Sequence, residues 1–128
     1  MVALTLIAGI GLLSSLLANI PVVAGSIVMI KGYFVAASVV PEMALASDFS
    51  DWPQATLPVF NAMMFGATLG GNATLIGASA NVVAAGACAA NGRRVTFGKF
   101  LRYGLPIMVC QLGAAALYVY ALNALIVK

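Results

Sequence analysis

The sequence predicts an all-α integral membrane protein, and three features support that fold class. Hydrophobic residues make up 63% of the 128 positions and charged residues only 7%, and the mean hydropathy is +1.09. So few polar side chains cannot cover the surface of a soluble globule of this size. The charged residues are also grouped, which leaves uncharged runs at residues 1–30, 52–92 and 103–127. Each run is long enough to cross a hydrocarbon core of about 30 Å.

The charged residues orient these segments in the membrane. Four of the six basic residues surround one short loop at residues 92–104, which the positive-inside rule places in the cytoplasm. All three acidic residues lie in the loop at residues 41–56, which we therefore place outside. The segment at residues 57–91 then runs inward and the segment at 105–128 runs outward, with its end outside. The basic residues of the cytoplasmic loop are Arg93, Arg94, Lys99 and Arg102.

The first segment, residues 1–40, is predicted to enter the membrane and to return to the outer side. A break is expected at Asn19 and Pro21, because proline removes a backbone donor and asparagine can cap a helix. About 15 Å of helix, half a bilayer, separate Pro21 from the interfacial Lys31. We therefore interpret residues 9–30 as an outward-opening re-entrant hairpin; a single spanning helix with a proline kink is the alternative. The predicted tip comprises Ala18, Asn19, Ile20 and Pro21.

The second segment, residues 57–91, is predicted to be a discontinuous transmembrane helix. It exceeds the roughly 20 residues that a straight span needs. The adjacent glycines Gly70 and Gly71 disfavour a continued helix, and the polar residues Asn72 and Thr74 follow them. Non-helical backbone at membrane depth requires protein or a water-filled cavity around it. The second half of the helix is predicted to begin near Asn72.

The third segment, residues 105–128, is predicted to be the final transmembrane helix. Pro106 suits its first turn, where no backbone donor is needed. Residues 95–103 are predicted to form a cytoplasmic connector before it.

Several function classes are excluded by the composition. The chain has no histidine, and Cys88 and Cys110 lie in apolar runs without CxxC spacing, so neither a thiolate–histidine metal site nor a Cys-His nucleophile is predicted. Nucleic-acid binding would need a contiguous basic surface, whereas most of the cations flank one loop. We therefore expect neither an enzyme nor a nucleic-acid-binding protein.

Polar residues beside the two predicted breaks form the candidate site. The N-termini of half-helices present N–H groups and a positive dipole end to anions, while unwound carbonyls and Asn, Ser or Thr oxygens can coordinate a small cation. The pattern therefore predicts half of a midplane site for substrate and ion. The alternative is that these residues only pack helices, since Gly66 and Gly70 fit GxxxG spacing. The candidate residues are Asn19, Gly70, Gly71, Asn72, Thr74, Ser79 and Asn81.

Three stretches of the sequence resemble the C-terminal part of the ion transporter superfamily. They are residues 15–23, 66–83 and 100–106, and the Gly-Gly-Asn to Ser-Ala-Asn motif between positions 70 and 81 is quite specific. The likeness covers nearly the whole chain. Within the superfamily, it is closest to the branch of citrate-type permeases, arsenite efflux permeases and sodium/proton antiporters.

The resemblance implies a fold of two inverted repeats, each with a re-entrant hairpin and a broken helix. Residues 1–128 would be a single partial transporter domain, the last part of the second repeat. Asn19 takes the position of the hairpin-tip asparagine. However, its neighbours Ala18 and Ile20 replace the hydroxyls of the carboxylate symporters and the preceding aspartate of several antiporters. The residues that fall in the broken-helix signature lining the site are Asn72, Thr74, Ser79 and Asn81.

The resemblance also implies a function and a location. We expect a secondary active permease, working by symport or antiport, that carries a small inorganic or organic anion or a cation. No resident cofactor is expected; the coupling ion would be H⁺ or Na⁺, with a sodium ion held near Asn19 and Asn81. The chain would be a multi-pass protein of a cell membrane, the bacterial inner membrane, and would need lipid and either the missing first repeat or a partner subunit in an oligomer. The alternative is a non-transporting packing or assembly module, or an inactive fragment of such a permease.

Overall fold

The computed structural model describes residues 2–126, and these residues are helical without any strand. The all-α prediction is therefore confirmed. Val127 and Lys128, which the sequence predicts at the outer end of the last helix, lie outside the described residues. Three short 3-10 turns occur at Glu42–Leu45, Gln54–Thr56 and Gly71–Ala73. The five α-helices are α1 (Val2–Leu16), α2 (Asn19–Ala36), α3 (Leu57–Gly70), α4 (Ser79–Ala90) and α5 (Phe97–Ile126).

Two of these helices, α2 and α5, are long and apolar enough to cross a membrane. Only 17% of the residues in the most apolar part of each is buried inside the structure. Most of their apolar side chains therefore point away from the rest of the chain, as expected for helices that face lipid or other membrane-embedded protein. The shorter helices α1 and α4 are also apolar.

The first helix break lies at the predicted tip. α1 ends at Leu16, and α2 begins at Asn19 after Ala18, whose backbone is extended with φ −61° and ψ 146°. Pro21 is the third residue of α2, where the missing N–H removes no helical hydrogen bond. The interruption thus follows from the local sequence.

Helices α1 and α3 lie side by side with their backbones in contact at glycines. A Cβ atom added to Gly70 would lie 2.2 Å from the carbonyl oxygen of Gly11, and one added to Gly66 would lie 3.0 Å from that of Ile7. Gly70 has an ordinary helical φ of −59°, so close approach, and not backbone conformation, requires the glycine. Because Ile7 pairs with Gly66 and Gly11 with Gly70, the two helices run in the same direction.

Helix α5 runs in the opposite direction to α1 and α3. Val119, near its C-terminal end, is buried with Ile7 of α1 and Ala62 of α3. Gly104, near its beginning, approaches the turn that follows α3, where an added Cβ would lie 2.6 Å from the carbonyl oxygen of Asn72. Helices α1, α3 and α5 therefore pack together around a small apolar core.

The C-terminal part of α2 packs beside the beginning of α3, together with the acidic loop. The ring centroid of Phe34 lies 5.8 Å from that of Phe60, and Trp52 of the loop lies 5.1 Å from Phe60. The ammonium group of Lys31 donates to the carbonyl oxygen of Ala46 at 2.9 Å and lies 5.6 Å from the Trp52 ring centroid. This aromatic cluster and its lysine fix the loop against α2 and α3.

The second half of the broken helix begins at Ser79, later than the predicted start near Asn72. After the 3-10 turn, Thr74 is extended, with φ −125° and ψ 160°. Its hydroxyl donates to the carbonyl oxygen of Ser15 and accepts from the N–H of Gly77 at 3.0 Å. These bonds to a distant helix and to a nearby backbone group stabilise the non-helical segment, so the helix resumes later than local sequence indicates.

The last helix begins at Phe97, so the prediction of a connector at residues 95–103 is wrong. Thr96 precedes the helix, and its hydroxyl accepts a hydrogen bond from the N–H of Lys99 at 3.4 Å. Pro106 consequently lies inside the helix and not in its first turn. The prediction treated the basic stretch as a loop, whereas long cationic side chains can extend from a helix towards water.

Candidate functional site

The two helix interruptions lie against each other. A Cβ atom added to Gly71 would lie 2.5 Å from the Asn19 side-chain amide. One added to Gly77 would lie 3.0 Å from the carbonyl oxygen of Ser14. The break between α1 and α2 therefore contacts the non-helical segment between α3 and α4.

The Asn19 side chain joins three parts of the fold. In the amide orientation that satisfies its neighbours, the nitrogen lies 3.0 Å from the carbonyl oxygens of Ala67 and Gly77 and 2.7 Å from the Ser14 hydroxyl. The hydroxyl of Ser14, which is fully buried, donates in turn to the Ala67 carbonyl. Asn19 thus cross-links α1, α3 and the non-helical segment.

Asn81 and Thr74 hold the non-helical segment from the other side. The Asn81 amide nitrogen donates to the carbonyl oxygens of Gly71 at 3.1 Å and Thr74 at 3.0 Å. Thr74 is buried, and its hydroxyl bonds to Ser15 and Gly77 as described above. These bonds satisfy backbone groups that a broken helix leaves without helical partners.

A small cavity lies between the beginnings of α2 and α4. Neither helix has a side-chain hydrogen bond at its N-cap within the described residues, so both present free N–H groups and a positive dipole end. Ser79 is exposed, and its hydroxyl has no hydrogen-bond partner in the described part of the chain. Two converging helix N-termini with a free hydroxyl are suited to an anionic group. The cavity, of about 240 Å³, is lined by Ala18, Asn19, Ile20, Ala78, Ser79 and Ala80.

The other predicted residues occupy different positions. Asn72 faces α5, where its amide nitrogen donates to the Gln111 side-chain oxygen at 2.8 Å. Gly70 and Gly71 are buried where backbones approach closely, and they do not line the small cavity. Pro21 lies in the first turn of α2, outside the small cavity. Asn19 and Ser79 therefore face the cavity, while the glycines shape the backbone around it.

Gln111 is the residue that sequence analysis missed. It accepts the Asn72 hydrogen bond and lines a second, larger cavity. The signal was available, because Gln111 is an uncharged polar residue in the middle of an apolar helix. A polar group at that depth needs either a partner or water.

A sodium ion near Asn19 and Asn81 stays a prediction. The oxygens that could coordinate it include the carbonyls of Gly71, Thr74 and Gly77, which here accept hydrogen bonds from the two asparagine amides. Within residues 2–126, no group of three or more His, Cys, Asp or Glu side chains could hold a metal ion. A cation between Asn19 and Asn81 would be bound by the neutral oxygens named above.

The chain is similar in sequence to segments of longer proteins. It is 50% identical over 118 residues to an uncharacterized transporter of Synechocystis, an alignment that covers 91% of this chain and 26% of that protein. It is 42% identical over 110 residues to the human P protein, covering 84% of this chain and 12% of that protein. A 59-residue stretch is 41% identical to an uncharacterized transporter of Mycobacterium tuberculosis, covering 46% of this chain and 14% of that protein.

No protein-family model and no solved structure matches the chain. The chain spans about a quarter of the length of the cyanobacterial relative and less of the others. The relatives named as transporters support a transporter family, and the two long apolar helices support a membrane protein. The chain is therefore related to part of a membrane transporter.

Proposed function

We propose that this chain forms half of a midplane substrate and ion site in a secondary active transporter, an ion or anion permease similar to citrate or arsenite permeases. The observation that carries the proposal is the cavity between the uncapped N-termini of α2 and α4. Transporters use the ends of discontinuous helices to bind anionic groups without placing a full charge in the bilayer. The names of the bacterial relatives support a transporter in general.

The proposal includes an outward-opening re-entrant hairpin formed by α1 and α2. Two sets of contacts support it. α1 runs in the same direction as α3, whereas the end of α2 packs on the beginning of α3 through Phe34 and Phe60. A chain that returns explains both contacts, while a kinked helix that continued across the membrane would carry Phe34 away from Phe60. The other inverted repeat would come from a partner subunit or from another part of a longer chain.

We further propose a multi-pass protein of the bacterial inner membrane that is coupled to Na⁺ or H⁺ in symport or antiport. Bacterial relatives named as transporters, together with the two long apolar helices, support a membrane protein. In the described residues, all three acidic side chains lie in the loop between α2 and α3, and no acidic residue occurs within a helix longer than four residues. Proton coupling would therefore need a carboxylate from the other repeat, which makes Na⁺ the coupling ion that this half favours.

Cysteine labelling tests the proposed orientation. In a background with Cys88→Ala and Cys110→Ala, we expect Ser50→Cys to react with a membrane-impermeant maleimide from outside. Asn91→Cys, at the end of α4, should react only after the membrane is permeabilised, because the adjacent basic loop is held in the cytoplasm. Asn91 is preferred to Gly92, whose φ of +76° favours glycine. Labelling of both positions from one side would contradict the proposed topology.

Transport assays on a chimera test the site. The chain replaces the matching segment of the Synechocystis transporter, and the uptake of citrate, arsenite and sodium into liposomes is measured. We expect Ser79→Ala to lower the rate roughly tenfold or more, because a hydrogen bond to a charged ligand is worth about 1.5–3 kcal/mol. The amount of folded protein should not change, since the Ser79 hydroxyl makes no bond within the described residues.

The matched control is Thr74→Ala, in which a hydroxyl five positions away is removed from a buried, hydrogen-bonded site. This variant should lower the amount of folded protein, whereas its rate per folded molecule should change less. The chain reconstituted alone should insert without transporting, because the other half of the site is absent. Full transport by the chain alone, or a normal rate for Ser79→Ala, would contradict the proposal.

The alternative function is a packing or assembly module without transport. The observation that favours it is that the amide and hydroxyl donors of Asn19, Thr74 and Asn81 all bond to backbone carbonyls of this chain. Under this alternative the Ser79 hydroxyl is dispensable. The Ser79→Ala measurement therefore separates the two functions.

A further inference from the structure

A second cavity, of about 480 Å³, lies between α5 and the broken helix. It is separate from the small cavity at the beginnings of α2 and α4. Asn72 and Asn81 line one side of it. α5 forms the other side with residues spaced four apart, which lie on one face of a helix. These residues are Lys99, Tyr103, Ile107 and Gln111.

Gln111 forms the inner end of this cavity. Its side-chain oxygen accepts the hydrogen bond from Asn72, and its amide nitrogen has no hydrogen-bond partner in the described part of the chain. The residue is only partly buried, so the two N–H groups of that nitrogen remain available to the cavity. Lys99 lies about 18 Å from Gln111 along the helix axis. The cavity therefore leads from the basic end of α5 to the middle of the helix.

The polar groups along the cavity favour negative charge. The Lys99 ammonium and the Gln111 amide nitrogen are donors only, and the Tyr103 hydroxyl can donate. None of the described residues that line the cavity is acidic. An ammonium group at the mouth of a cleft with low-dielectric walls raises the local concentration of anions.

We propose that this cavity is an access route for a small free anion on the side of the basic loop, and that Gln111 determines its charge specificity. The proposal rests on the proposed function and adds a route and a residue to it. Asn81 lines the larger cavity and donates to the carbonyls of Gly71 and Thr74, and it lies next to Ala80, which lines the small cavity. A lipid headgroup is a poorer occupant, since Gln111 lies about 18 Å of helix away from the mouth.

Charge-selective thiol labelling tests the route without measuring transport. The full chain, with Cys88→Ala and Cys110→Ala, is reconstituted in phosphatidylcholine vesicles and carries either Ile107→Cys or Val109→Cys. These two positions are similarly exposed, at 53% and 56%, but only Ile107 lines the cavity. Each reacts with an anionic sulfonate and with a cationic trimethylammonium methanethiosulfonate. Both rates are divided by the rate of the same reagent with free 2-mercaptoethanol.

We expect Ile107→Cys to react faster with the anionic reagent and Val109→Cys to react slowly with both, because Val109 is on the opposite face of α5. Lys99→Gln should lower the anionic-to-cationic ratio roughly threefold. This is the effect of removing one unit charge in water at about 12 Å from position 107, since that charge attracts one reagent and repels the other. Gln111→Glu keeps an acceptor for Asn72 while replacing the free donor with negative charge, so it should lower the ratio further. Lys99 is exposed, so we expect its replacement to leave the fold intact.

Several results would overturn the proposal. Equal rates at Ile107→Cys and Val109→Cys would show that the cavity gives no special access. A ratio that neither Lys99→Gln nor Gln111→Glu changes would remove the charge selectivity. An effect of Lys99→Gln without one of Gln111→Glu would restrict the anion to the mouth, as for a lipid headgroup. A chain that shows the anionic preference but whose chimera does not transport would contradict the proposed function alone.

Discussion

Replacing Gly70 with alanine is expected to separate α1 from α3 and to lower the free energy of unfolding by about 3 kcal/mol. The new Cβ would lie 2.2 Å from the carbonyl oxygen of Gly11 and 2.6 Å from its Cα, closer than non-bonded carbon atoms can approach. Both neighbours are backbone atoms, so no side chain can move aside. An ordinary contact between the new Cβ and the Gly11 carbonyl oxygen would need about 3.5 Å. One helix would therefore have to shift by more than about 1 Å.

The single tryptophan makes this effect measurable. Trp52 packs against Phe49 and Phe60, so its fluorescence reports on the cluster between α2, α3 and the acidic loop. Unfolding of the solubilised chain by SDS would be followed at this residue. The matched control is Gly113→Ala in α5, where an added Cβ meets nothing within 4 Å and should raise stability by about 0.5–1 kcal/mol. Equal stability of the two variants would contradict the packing of α1 on α3.

Removing the Asn19 amide is expected to have the second large effect. Asn19→Ala removes the side-chain donor to the Gly77 carbonyl oxygen in a water-poor site and leaves the Ala67 carbonyl with the Ser14 hydroxyl, which should lower the free energy of unfolding by about 2–3 kcal/mol. Asn19→Asp should lower it more. A carboxylate has nearly the shape of the amide but places acceptor oxygens against two carbonyl oxygens.

The same unfolding measurement checks this prediction, with Asn123→Ala as the control. Asn123 is exposed on α5 and has no side-chain hydrogen bond among the described residues, so its replacement should change stability by less than about 0.5 kcal/mol. If Asn19→Asp were as stable as the wild-type chain, the amide nitrogen would not be the group that faces Gly77 and Ala67. Asn19 would then be free to bind a cation through its oxygen.

Local sequence was sufficient to predict the positions of the two interruptions. Pro21 lacks an N–H, so a helix that begins shortly before it loses no hydrogen bond. The break accordingly lies at Ala18. Gly70 and Gly71 predicted the second interruption. Its length could not be predicted, because the segment is stabilised by Thr74 bonding to Ser15, a contact between residues far apart in the sequence.

The candidate site residues have different surroundings in the structure, and their binding roles stay predictions. Asn19 and Ser79 line one cavity, whereas the glycines serve the packing of the backbone. Gln111 was not predicted because it lies in a continuous helix, without a break beside it. Its pairing with Asn72 depends on the antiparallel placement of α5, which no local pattern specifies.

Helix α4 differs from the others in having no buried residue. Within the described part of the chain, two side-chain hydrogen bonds donated by Asn81 join α4 to the non-helical segment, and a third, from Asn91 to the Ala87 carbonyl, is local to its C-terminal end. The Asn81 amide therefore attaches the N-terminal end of α4 to the rest of the chain. The C-terminal end is followed by Gly92, whose φ is +76°. A rotation of α4 would disturb no packed core, whereas a movement of α1 or α3 would separate the glycine contacts. The stiff part of this chain and the part that can be displaced at low cost are therefore neighbours along one broken helix.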